Sequence, residues 1–486
     1  MAGNVKIKGY PATKTSIQVP TVANLKKFVV NFRRGKTFTD TNQNISDYAG
    51  QYGFDWLRDE YIYPIIKVTH DNQGFPVNTE TPLCLDVAKL KTEYKDSSLS
   101  PYGKDYFPAW LSIFPHTKSV EFEHGSSMHK NGVDLNLEIE ELENLSKDAT
   151  ELLFETNNKF LIVTPGKLNL KDLIDKKETK SLGGTDVRDY YLAENKINIK
   201  CKSGVLIKDE EVRVFAKLGS KKVEVGKLIL SKNNIIPKAE VVAINVLIGG
   251  KGGRLRDDYE FIFKRQSYNQ ALVRAEVDVD TKFNLNNLPQ TDQKVLDFIA
   301  NYSGGTLPSG KSSDDFRKEL IELYDLYGKH KPKGGLIDTN VNKRTYLFFT
   351  NFSAGNTNGI CSAEFNKDIS GNITSIDWGN AYIVFDGGSK SKRTLIHECG
   401  HSLSLPHIFM AAEGTFKVSS SHVFYKGYTD NYMDYEWQQG AIVWDSVKNK
   451  WNRYSSGDNK YKGKMYSFFK WQWDIIRKDE SLIKNY

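Results

Sequence analysis

Residues 397–407 read His-Glu-Cys-Gly-His-Ser-Leu-Ser-Leu-Pro-His, and Ser391-Lys-Arg-Thr-Leu-Ile396 leads into them. On a helix, His397 and His401 leave the same face one turn apart. That spacing lets two ring nitrogens reach one zinc ion at about 2.0–2.1 Å. Glu398 lies roughly 100° round the helix, beside such an ion rather than on it, where a general base belongs. His407 cannot share that face if the helix runs on, so the helix must stop and the chain double back. Pro406 cannot continue a helix and turns Leu405 out of the α region. Three of the chain's nine histidines fall in this window, with Glu where hydrolytic chemistry needs it. His397, His401 and His407 are therefore the expected zinc ligands, and Glu398 the expected catalytic base.

The stretch resembles the metzincin pattern HExxHxxGxxH followed by a Met-turn. The second part is Asp430-Asn-Tyr-Met433-Asp-Tyr435. Gly400, Leu403, Leu405, Phe409 and the Asn-Tyr-Met-Asp-Tyr run are most similar to the pappalysin (cytophagalysin) family. The resemblance covers the C-terminal half. It implies that Met433 forms the floor beneath the metal and that Tyr435 approaches it as a second catalytic side chain. It also marks a departure, because Ser404 stands where the family has Gly. If that position is left-handed, Ser404→Gly is expected to stabilise the turn by up to about 1 kcal/mol.

The 486 residues are enough for two to four domains, and 39% hydrophobic content supplies their cores. No apolar run reaches membrane-spanning length. The net charge of +7 is spread as Lys among Asp, Glu and Asn without a basic block, which argues against nucleic-acid binding. Cys84, Cys201, Cys361 and Cys399 lie far apart without a CxxC pair, so reduced, buried thiols are expected. Cys399 points about 200° from His397 on the helix and is expected to pack against a sheet.

Along the chain, the aromatic stretches Tyr52–Tyr63 and Tyr106–Ile113 suggest a β-rich domain over 1–130. From Val133 apolar and polar residues alternate, and strands are expected at 151–154, 160–164, 197–201, 211–218 and 222–230, with Gly219-Ser220 as a hairpin turn. Short strands with turn signals give an immunoglobulin-like sandwich over 131–236, with 167–189 as an exposed insertion. Over 237–486 the expected order is strand 239–248, helix 257–270, strand 271–279, helix 314–326, strand 344–350, edge strand 360–365, strand 381–385, the metal helix, and a closing helix 464–477. The fold class is thus multidomain, with β-rich N-terminal domains ahead of an α+β metzincin-like domain.

The expected function is a zinc-dependent endopeptidase that binds a protein or peptide as an extended strand beside the edge strand. A non-catalytic binding or adhesion protein with a structural or defunct zinc site is the alternative. The N-terminus has no apolar signal segment. Gly53-Phe-Asp-Trp-Leu-Arg58 is faintly similar to leader regions of bacterial proteins linked to contractile secretion. Release by a signal-independent, contractile-injection-like machine, with 1–130 as docking part, is the expected localisation, and a cytoplasmic peptidase its alternative.

Overall fold

Val133, Leu135, Leu137 and Ile139 are all essentially inaccessible, and the alternation they open becomes the strand Val133–Glu141 at the centre of the first sheet. The computed structural model describes residues 25, 27–38, 45–71, 74–115, 131–331, 343–409, 421–447 and 449–484. On one side Val133–Glu141 pairs antiparallel with Phe28–Arg34, and on the other with Asp186–Cys201. The long Asp186–Cys201 strand also carries Leu161–Thr164 and Lys177–Gly183. A second sheet runs in the order Lys167–Asn169, Glu151–Glu155, Glu210–Leu218, Lys221–Leu230, Ala109–Ser112, Gly53–Asp55. Both sheets bury their inner faces in one core, where Phe28, Phe32, Phe54 and Leu111 meet Leu135, Ile199, Val214 and Leu228.

Strands from before residue 130 therefore complete both sheets of the sandwich, and a cut at 130 runs through each of them. The first 24 residues, at the head of the expected docking part, lie outside the described residues. Residues 167–189 are not an exposed insertion. Lys167–Asn169 pairs with Glu151–Glu155, Lys177–Gly183 forms a hairpin with the next strand, and Leu170, Leu173 and Ile174 enter the core. Their lysines and aspartates face water, which is what gave the stretch its polar look.

The second half is built on a five-stranded sheet ordered Arg274–Asn284, Lys238–Leu247, Thr345–Phe349, Ile373–Val384, Gly359–Lys367. The first four strands run parallel, and Gly359–Lys367 is antiparallel on the edge. Alternation assigns the faces. Val242, Ile244 and Phe348 pack against helices Gln293–Tyr302 and Ser313–Tyr327 through Phe298, Phe316 and Tyr324. Val241, Ala243, Leu347 and Tyr382 pack against Leu395, Ile396 and Cys399 of helix Lys392–Ser402. Cys399 is buried against this sheet, as expected.

Helix Gln293–Tyr302 was not foreseen. The helix expected over 257–270 breaks instead: Tyr259–Arg265 stops where the Ser267 hydroxyl donates to the Ile262 and Phe263 carbonyls. The closing helix begins only at Lys470. Leu57, Tyr61, Leu83 and Leu90, all before residue 130, join Phe424, Phe468 and Phe469 in the core beneath helix Lys392–Ser402. Among the described residues no helix is long and apolar enough to cross a membrane.

Candidate metal centre

Helix Lys392–Ser402 starts at Ser391, whose hydroxyl accepts from the Thr394 amide. Its other end explains the return of the third histidine. The Leu405 amide bonds back to the Gly400 carbonyl and the Ser404 amide to His401, with Ser404 left-handed at φ +67°. This is a Schellman turn with Ser in the place usually held by Gly. The Ser404 hydroxyl donates to the buried Asp479 carboxylate at 2.6 Å, and Asp479 in turn holds Ser481. Pro406 and His407 then run back across the helix face.

The three Nε2 atoms converge, with 3.0 Å between His397 and His407 and 3.2 Å from His401 to each of them. Three nitrogens at about 2.0–2.1 Å on a tetrahedral ion would stand roughly 3.3–3.4 Å apart, so the spacing fits such an ion closely. Tautomers agree with this. His397 Nδ1 donates to the Tyr432 carbonyl at 2.8 Å and His401 Nδ1 to the Leu405 carbonyl at 2.6 Å, which leaves the Nε2 lone pairs facing one another. Burial holds His401 down to about 3, and burial with neighbouring charge holds His397 and His407 well below the usual imidazole value. Three neutral lone pairs crowded together suit a cation, and this buried group could hold a metal.

Ring stacking fixes the outer two imidazoles. Trp378 lies flat on His401 at 4.4 Å, and Phe409 on His407 at 4.8 Å. Met433 is fully buried under the helix, so close that a Cβ on Gly400 would meet its sulfur at 2.6 Å. Tyr435 stands 5.0 Å from the His407 ring. The Asp434 carboxylate shapes the loop before Met433 by accepting from the amides of Gly427, Tyr428 and Thr429.

Glu398 faces a cleft of about 520 Å³ that the three histidines and Tyr435 also line. Its carboxyl makes no hydrogen bond among the described residues. Burial pushes it up to about 7, opposed by the Arg393 guanidinium. The edge strand closes the upper side with Gly359, Ile360, Cys361, Ala363 and Phe365. A Cβ at Gly359 would come within 2.6 Å of Glu398 Cγ, so only Gly lets the strand approach the acid this closely. All six residues expected at the site are thus together.

Several contributors were not foreseen: Gly359, Trp378, Lys426 and Arg393. Only Arg393 carried a sequence signal, its place one turn before His397. Its Nη2 lies 2.8 Å from His397 Nδ1 and 2.7 Å from the Asp434 carbonyl. Since Nδ1 donates to Tyr432, the Arg393–His397 contact is one of packing, and the carbonyl is the acceptor.

No family model matches the chain, and no curated protein does. Among solved structures, metalloproteinase-II from Bacteroides fragilis is similar over 52% of this chain and 89% of its own, at 11% identity and a TM-score of 0.20. A likeness that weak decides nothing about activity, which has to be read from the chain's own residues.

Proposed function

We propose that the chain is a zinc-dependent endopeptidase of metzincin type, nearest in pattern to the pappalysins. One observation carries this: the Nε2 atoms of three buried imidazoles converge on one point while the unpaired carboxyl of Glu398 faces the same cleft. A purely structural site has no use for that acid. On this reading residues 237–486 carry the chemistry, and an immunoglobulin-like sandwich over 131–236, completed by strands from before residue 130, braces it.

His397, His401 and His407 would hold the ion, which supplies Lewis acidity toward a carbonyl and toward water. Glu398 takes the proton of the attacking water and returns it to the leaving amine. With no hydrogen-bond partner among the described residues, its carboxyl is free to do both. Tyr435 is the candidate donor to the oxygen on which charge builds up. Met433 keeps the helix at a fixed height beneath the ligands. Among the described residues the edge strand pairs only with Ile373–Val384, which leaves its outer side for an extended substrate.

The test is metal content and cleavage of an unfolded protein such as casein, for wild type and Glu398→Gln. The variant should keep about one zinc per chain and lose at least about a hundredfold in turnover, the worth of a positioned base. Undiminished turnover would sink the mechanism.

A further inference from the structure

Arg393 stands one helical turn before His397, so its head group lies beside the ligands. Its Nε and Nη2 both donate to the Asp434 carbonyl, at 3.1 and 2.7 Å. The Tyr435 ring lies 4.8 Å from the guanidinium carbon and fixes its plane. The two N–H groups of Nη1 have no partner among the described residues, and Arg393 lines the cleft.

Nor does a carboxylate pair with it there. Asp434 turns its carboxylate to the loop amides. Asp314, the other acid lining the cleft besides Glu398, is engaged by Arg317 and Lys318.

A guanidinium held flat, with one N–H pair open to a cleft, fits a carboxylate far better than a neutral amide. We infer that Arg393 determines specificity by receiving a substrate carboxylate next to the bond that is cut. The carboxylate is either an Asp or Glu side chain or a free C-terminus. This rests on the peptidase reading above and adds a class of substrate to it.

Three quenched-fluorescence peptides of one sequence provide the test. The first has Gln beside the cut and an amidated end, the second has Glu in place of that Gln, and the third ends in a free carboxylate near the cut. Wild type should favour the second or third by at least about tenfold in kcat/KM, mainly through KM, as one charge-assisted hydrogen bond warrants. Whichever is favoured identifies the source of the carboxylate. Arg393→Gln should erase the preference, and Arg393→Lys, which keeps the charge but not the fork, should retain part of it.

Equal cleavage of all three by wild type overturns the inference and leaves the peptidase standing. So does a preference that survives in Arg393→Gln. If Arg393→Gln loses its metal or its fold, the wild-type ratios and the Lys variant decide. If nothing is cleaved, binding of the same peptides to zinc-loaded Glu398→Gln separates the two ideas. A carboxylate preference there keeps the Arg393 site without the peptidase, and equal binding removes both.

Discussion

Three imidazoles packed side by side set how this protein answers acid. In the unfolded chain they titrate near 6.5, whereas burial holds His401 to about 3 and keeps the other two low as well. Below 6.5 the unfolded state takes up protons that the folded state refuses, so stability falls as pH falls. Glu398 works in the opposite sense. Its folded value of about 7 exceeds the ordinary 4.5, so its share is lost as pH rises between the two. Three rings outweigh one carboxyl. Thermal unfolding of the metal-free protein should show Tm dropping steadily from pH 6.5 towards 4, and His401→Asn should flatten the slope. A profile level across that range would contradict the packing. The convergence of His397, His401 and His407 beside Glu398 was legible because their spacing lies within one helix and its turn. Gly359, Trp378 and Lys426 were not, because each reaches the site on an element whose position only the tertiary fold sets.

At the scale of the element, the end of the metal helix decides where His407 lands. The left-handed Ser404 was legible as a departure from a Gly-bearing pattern, but its partner Asp479 was not, being 75 residues away. Ser404→Gly would relieve left-handed strain of about 1–2 kcal/mol. It would also delete a hydrogen bond to a buried carboxylate, worth about 1.5–3 kcal/mol. The expected gain is thereby reversed into a net loss of about 1 kcal/mol. Ser404→Ala keeps the strain and loses the bond, so it should cost about 2 kcal/mol. Urea denaturation measures both, and a Gly variant more stable than wild type would show that the Asp479 contact contributes little. The same contrast runs through the other elements. Strands with clean alternation, such as Val133–Glu141 and Glu210–Leu218, were read close to their true bounds. The helix break at Ser267 and the hairpin at 177–201 depend on hydrogen bonds and pairing that no period announces.

Across the whole molecule the segments expected as separate units are interleaved. Asp430, just before the Met-turn, is buried between two arginines from the start of the chain. Arg34 lies 2.9 Å from one carboxylate oxygen, and Arg58 2.9 Å from the other. These cations hold its carboxyl down to about 2 against the opposing effect of burial, the largest single influence. Removing one partner of such a pair costs about 3–5 kcal/mol. Arg58→Met should lower Tm clearly and weaken metal retention, since Asp430 leads directly to the Tyr432 carbonyl that orients His397. Deleting residues 1–130 should yield a chain that does not fold, because it opens both sheets and leaves Asp430 without its arginines. Circular dichroism of the 131–486 fragment checks this, and a cooperative thermal transition would disprove it.

The Asp430 clamp also puts the metal centre on a clock. Its partners stand 396 and 372 residues away along the chain, and at about 5–20 residues per second a ribosome needs roughly 20–80 s to make that span. Until then the arginines have no acid to hold, and the segment around Met433 does not yet exist. On the peptidase reading proposed above, the order of synthesis itself withholds the chemistry until Asp430 reaches its two arginines.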